Sequence, residues 1–117
     1  MKFKLIIVLT QDDLTDTAIS AARAKGATGS TVITSARGEG LKPTKTFLGL
    51  SVAGQRDMIL LLVEAHHSRL ILESIAEACG FESDPGSGMA FQIDIEDAIG
   101  LSSQITAIKQ EIDKEDL

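Results

Sequence analysis

Twice in this chain an apolar run passes directly into a helical repeat of apolar residues that a glycine ends, and this recurring phrase constrains the fold more than any other feature. The first run, residues 3–9, is rich in leucine and β-branched side chains and lacks a polar face at helical spacing, as in a central strand buried on both sides. Leu14, Ala18, Ala21 and Ala22 then recur at i, i+4, i+7 and i+8. Thr10, Asp12 and Asp13 stand where caps and helix-dipole partners belong, and Lys25-Gly26 marks the end. The second run, residues 58–63, leads to a helix with Ser68 as its expected cap, Ile71, Ile75, Ala78 and Cys79 on one face, and Gly80 as its stop.

Between and after these phrases lie two further strands and a terminal helix. Thr31, Val32, Ile33 and Thr34 predict a strand over 30–36, closed by Gly38-Glu39-Gly40. Residues 38–55 follow neither period and predict an irregular loop. Beyond Asp84-Pro85-Gly86-Ser87-Gly88, Met89, Phe91, Ile93 and Ile95 alternate with Ala90, Gln92, Asp94 and Glu96, the period of a half-buried strand. Leu101, Ile105, Ile108 and Ile112 place an amphipathic helix over the C-terminal segment 101–117. The order β-α-β-β-α-β plus a tail helix predicts an α+β, ferredoxin-like domain over 1–100, with both helices on one sheet face. The other face is too apolar to stay wet, so sheet-on-sheet packing in a symmetric oligomer is expected.

Composition narrows the function. With 117 residues there is room for one core, and with 44% apolar but only 3% aromatic residues it must be built from aliphatic side chains. A net charge of −6 and scattered basic residues argue against nucleic acid as a partner. Neither apolar run approaches the roughly 20 residues a membrane span needs, and the chain does not open on a signal peptide, so a cytoplasmic protein is expected. The lone Cys79 lies among Ile75, Ala76 and Ala78 and reads as core packing.

Three phrases stand at telling places in this frame. They are Gly26-Ala27-Thr28-Gly29-Ser30-Thr31-Val32 leaving the first helix, Arg37-Gly38-Glu39-Gly40 at the root of the loop, and Gly86-Ser87-Gly88 before the last strand. Together, across residues 4–100, the chain resembles the nitrogen-regulatory PII signal-transduction family. The resemblance implies a homotrimer with adenine nucleotides in clefts between subunits, and a long T-loop (38–55) that reports the bound effector to a protein target such as a membrane transporter or metabolic enzyme. It further implies that Gly29, Ser30 and Thr31 line the adenine side, Arg37, Gly38 and Gly40 the loop root, and Gly86, Ser87 and Gly88 a phosphate-cradling turn, with Lys42 and Val63 also among the binding residues. Converging N–H groups around such glycines can hold an anion, whereas an ordinary Pro-Gly turn is the commoner use of the same residues.

The chain also departs from that pattern. Met89 stands where the family has a lysine, and Gly100-Leu101-Ser102 where it has two arginines. A triphosphate needs several cations or Mg²⁺ to offset its desolvation, so AMP, ADP or a dinucleotide fits the remaining Arg37, Lys42 and Lys45 better than ATP, with Mg²⁺ left open. Leu41-Lys42 occupies the region where 2-oxoglutarate sensors carry a glutamine, and the absence of tyrosine excludes tyrosine modification. Phe47, Leu48, Leu50 and Val52 in the loop suit a partner surface, or a hairpin arm against a neighbouring subunit. His66 and His67, adjacent on an extended chain, make a poor chelating pair, and Asp94, Glu96 and Asp97 read as a solvated or intersubunit face. Two rival classes remain. A ligand-blind trimeric scaffold or metal-tolerance protein shares the architecture, while an acylphosphatase-like hydrolase is disfavoured by the acidic Thr10-Gln11-Asp12-Asp13 after the first strand.

Overall fold

This computed structural model describes residues 1–36, 46–47, 50–51, 56–84 and 86–115. Strand β1 (Phe3–Gln11) leads through a 3₁₀ turn (Asp12–Leu14) into helix α1 (Thr15–Ala24), then strand β2 (Thr31–Ala36). Short strands β3 (Thr46–Phe47) and β4 (Leu50–Ser51) precede strand β5 (Arg56–Glu64), helix α2 (Ala65–Cys79), strand β6 (Gly88–Asp94) and helix α3 (Ser102–Glu115). The four long strands form one antiparallel sheet in the order β2-β5-β1-β6, the arrangement the sequence predicts. The domain boundary expected at residue 100 falls in the connection between β6 and α3.

Strand alternation sorts the sheet into two faces. Ile6, Val8, Ile59, Leu61 and Val63 are buried against α1 and α2, where Ala18, Ala22, Ile71, Ile75 and Cys79 complete the core. Each isoleucine fully buried there contributes about 1.5–3 kcal/mol relative to exposure. Leu5, Ile7, Leu60, Leu62 and Phe91 point to the opposite face and are only partly buried, while Ile33 and Ile93 there are exposed. On β6 the helix-facing residues are Ala90 and Gln92, opposite Val8 and Ile6. The apolar half of that strand's alternation, Met89, Phe91 and Ile93, therefore lines the open face and not the core.

Several local features differ from the sequence expectation. Thr10 and the aspartates do not cap α1, since Thr10 belongs to β1 and Leu14 at the N-cap position makes no side-chain bond. Helix α2 starts earlier than expected, because the Glu64 carboxylate accepts the His66 N–H at 2.8 Å and so caps it. Ser68 is consequently buried within the first turns and donates to the Ala65 carbonyl at 2.9 Å. His66 and His67 are helical, not extended. The segment expected to be irregular contains a two-stranded ladder, Thr46 opposite Ser51 and Phe47 opposite Leu50. Two residues, Leu48-Gly49, separate the paired segments in the chain, the sequence spacing of a tight hairpin.

Candidate functional site

One end of the sheet gathers the ends of all four long strands. Thr10 lies between Asp57 and Gly88, while Arg56 lies between Gln11 and Ala36. A buried polar lattice fixes this end. The Thr15 hydroxyl donates to Asp57 Oδ2 at 2.6 Å, and the Thr10 hydroxyl and the Gln11 N–H both donate to the Ser87 carbonyl, at 3.2 and 3.3 Å. Gly80, left-handed at the end of α2 with φ +68°, accepts from the Ser83 and Asp84 N–H groups and from the Ser87 hydroxyl. The turn before β6 is thereby tied to both β1 and α2.

Within that turn the glycines have distinct tasks. The Ser87 N–H donates to the Asp84 carbonyl at 3.1 Å and Gly86 has φ +85°, the bond and the third-position conformation of a type II turn. Ser87 is buried and its N–H is already engaged, so the cradle of successive free N–H groups is not formed across this residue. Gly88 is required by packing. A Cβ there would stand 2.5 Å from Phe81 Cε1 and 2.6 Å from the Leu9 carbonyl oxygen. At Gly86 a Cβ would meet nothing within 4 Å, so this position faces open space.

The other candidate residues lie at the opposite edge of the sheet. Gly29 and Ser30 lead into β2, whose first residue, Thr31, is opposite Leu60; Ser30 and Thr31 are exposed. Val63 is 2% exposed and its side chain belongs to the core. Arg37, Gly38, Gly40 and Lys42 lie outside the described residues, as does Lys45. Strands β5 and β1 stand between β2 and β6, a separation of about 14 Å at ordinary strand spacing. One chain therefore keeps the 29–31 and 86–88 groups apart.

The sequence reading missed Arg56. Its residue is 6% exposed, on the open-face side of β5 beside Ala36, the last residue before the loop root. A charged Arg-Asp pair directly ahead of the apolar run 58–63 was the available signal. Asp57, next in the chain, turns to the other face and meets Thr15.

The model of the family described as Nitrogen regulatory protein P-II matches residues 3–104. The chain belongs to the P-II family. P-II proteins are a family of regulatory proteins. None of the curated proteins matches the chain. Among solved structures, a PII-like signaling protein from Thermus thermophilus is 18% identical with a TM-score of 0.60, covering 81% of this chain and 88% of its own. The apo form of CPII from Thiomonas intermedia, a nitrogen regulatory PII-like protein, is 19% identical with a TM-score of 0.63, covering 81% and 90%. CPII bound to ADP, AMP and bicarbonate is 20% identical with a TM-score of 0.62, covering 81% and 87%. At these identities the likeness is one of fold. Helix α3 runs on to Glu115, beyond the P-II match.

Other groups noted in the sequence have local partners. The Lys4 ammonium pairs with Asp94 and holds that carboxyl below the usual aspartate range. The His66 ring, largely in solvent, lies 2.6 Å from the buried Glu64 carboxylate. Burial pushes the Cys79 thiol up, which keeps it protonated and unreactive at neutral pH. Among the described residues, no three His, Cys, Asp or Glu side chains are grouped to hold a metal ion, and no helix is long and apolar enough to cross a membrane.

Proposed function

We propose that this P-II protein is a non-catalytic sensor that binds an adenine nucleotide between subunits of a homotrimer and controls a target protein through residues 38–55. The observation that carries the reading is the P-II family match over residues 3–104. Two features of the chain support it. The open sheet face, with Leu5, Ile7, Leu60, Leu62 and Phe91, suits burial against other copies. The separation of 29–31 from 86–88 on opposite edges suits a cleft that takes one group from each of two chains.

Within such a cleft, open space at Gly86 leaves room for a phosphate against the turn, and Arg56 and Arg37 supply cations near the loop root. The chain has Met89 in place of the family's lysine and Gly100-Leu101-Ser102 in place of its arginine pair, so a mono- or diphosphate is favoured over a triphosphate. The presence of ADP and AMP in the CPII structure is in keeping with that class. Mg²⁺ becomes necessary only for a triphosphate. Ligand-dependent order in 38–55 would then alter docking to a transporter or metabolic enzyme, by differential affinity for the two loop states.

Calorimetric titration with AMP, ADP, ATP, cyclic nucleotides, NAD⁺ and bicarbonate, with and without Mg²⁺, tests the reading while light scattering reports the assembly. Micromolar binding of AMP or ADP to a trimer, lost in Gly86→Asp and Arg37→Ala variants that remain trimeric, is the expected result. A trimer that ignores every nucleotide contradicts the reading and leaves a ligand-blind scaffold.

A further inference from the structure

The peptide between Ser87 and Gly88 is held from the β1 side. Its carbonyl accepts from the Thr10 hydroxyl at 3.2 Å and from the Gln11 N–H at 3.3 Å, which occupies both oxygen lone pairs. In a trans peptide the N–H lies antiparallel to the C=O, and no cis bond occurs among the described residues, so the Gly88 N–H is directed away from β1. Ser87 itself has no donor to spare: its N–H reaches the Asp84 carbonyl and its hydroxyl the Gly80 carbonyl. Thr10 is the exceptional residue in this arrangement. Its side chain follows Ile6 and Val8 on the helix-facing side of β1 and is fully buried, where valine would fill the same volume without a polar group. Burying a hydroxyl is unfavourable unless it is hydrogen-bonded, and the Ser87 carbonyl supplies the bond.

We propose that Thr10 is a positioning residue for the ligand: with the Gln11 N–H, its hydroxyl fixes the plane of the 87–88 peptide so that the Gly88 N–H is presented to an anionic group in the cleft. The ligand side of this inference rests on the nucleotide reading; the orientation of the peptide does not. In the proposed trimer, the side of β6 away from β1 is where the next copy's β2 edge and the ligand lie. If the peptide turned over, the Ser87 carbonyl oxygen would replace the N–H there and repel an anion. Glycine at 88 sets little steric bar to such a flip, because it accepts either sign of φ, so the two bonds to the Ser87 carbonyl are what oppose it. Thr10 thereby favours phosphorylated over unphosphorylated adenosine without touching either.

The test uses the full-length ¹⁵N-labelled protein with inorganic pyrophosphate, adenosine, AMP and ADP. Pyrophosphate is expected to move the Gly88 amide proton downfield in the wild type and in Thr10→Ser, and to leave it in place in Thr10→Val. By calorimetry, the preference for AMP and ADP over adenosine should fall about 2- to 13-fold in Thr10→Val, the equivalent of one neutral hydrogen bond, and return in Thr10→Ser. A structural role alone would lower the urea midpoint of Thr10→Val and leave that preference unchanged, and this result would overturn the inference. So would a wild-type Gly88 amide that ignores pyrophosphate, or one already protected from exchange without ligand because it bonds the neighbouring strand; neither measurement depends on a variant that folds. A Thr10-dependent response to pyrophosphate in a protein that binds no adenosine compound would uphold the inference and contradict the nucleotide reading.

Discussion

Substituting Gly88 by alanine separates the packing role of the 86–88 turn from any ligand role. The added methyl would lie about 0.8–0.9 Å inside ordinary contact with both the Phe81 ring and the Leu9 carbonyl. The ring can give way only by leaving its contact with the core, and the carbonyl belongs to a central strand. Overpacking of this kind costs about 1–3 kcal/mol, and a backbone atom among the clashing groups places Gly88→Ala near the upper figure. At a urea m-value of about 1.2 kcal/mol/M for a domain of this size, the midpoint should fall by roughly 2 M at matched protein concentration. Gly86→Ala meets no atom and loses only the left-handed preference, about 1–2 kcal/mol. Chemical denaturation of both variants decides the matter. A Gly88→Ala midpoint equal to wild type, or a Gly86→Ala variant less stable than Gly88→Ala, would refute the assignment of Gly88 to packing.

Two other perturbations probe the loop root and the surface. Ser35 is held at φ +59° where the β2–β5 register shifts between Ile33 and Ala36, so Ser35→Gly should be neutral or stabilising. Ser35→Val should cost about 1–2 kcal/mol by urea denaturation, and equal stability of the two would remove the strain argument. The Asp94 carboxyl should titrate below the usual aspartate value of about 3.9. Its small contribution is present above that value and lost as pH falls through the lowered one; in a Lys4→Met variant the NMR midpoint should rise, and an unmoved midpoint contradicts the pairing.

Much of the fold was legible because burial imposes periods on the sequence. The run at 3–9, the 3–4 spacing of Ile71, Ile75 and Cys79, and the alternation from Met89 to Ile93 each correspond to an element of the sheet-and-helix sandwich. The direction of that last alternation was not legible. Both faces of this sheet attract apolar residues, so the pattern on β6 could not say that Ala90, rather than Phe91, meets the helices. Caps were misassigned for a related reason: Glu64 and Ser68 can each end a strand or begin a helix, and the pairing of β5 with β1 as far as Glu64 decides between them. Glycine tasks depended on neighbours distant in sequence. The Phe81 ring and the Leu9 carbonyl require glycine at 88, whereas a positive φ calls for it at 86.

The central claim is that one ligand site takes residues from the β2 edge of one chain and the β6 edge of another. Subunit complementation tests it most directly, using Ser30→Trp to block the β2 side and Gly86→Asp the β6 side. Each variant alone should assemble but bind no nucleotide. If the two are unfolded together, mixed in equal amounts and refolded, random trimers should regain about a quarter of the wild-type sites, because one unmodified edge of each kind then meets at every fourth junction. Recovery near that fraction, measured by calorimetric stoichiometry, is the predicted result. Mixed trimers that regain no binding would contradict a site shared between chains.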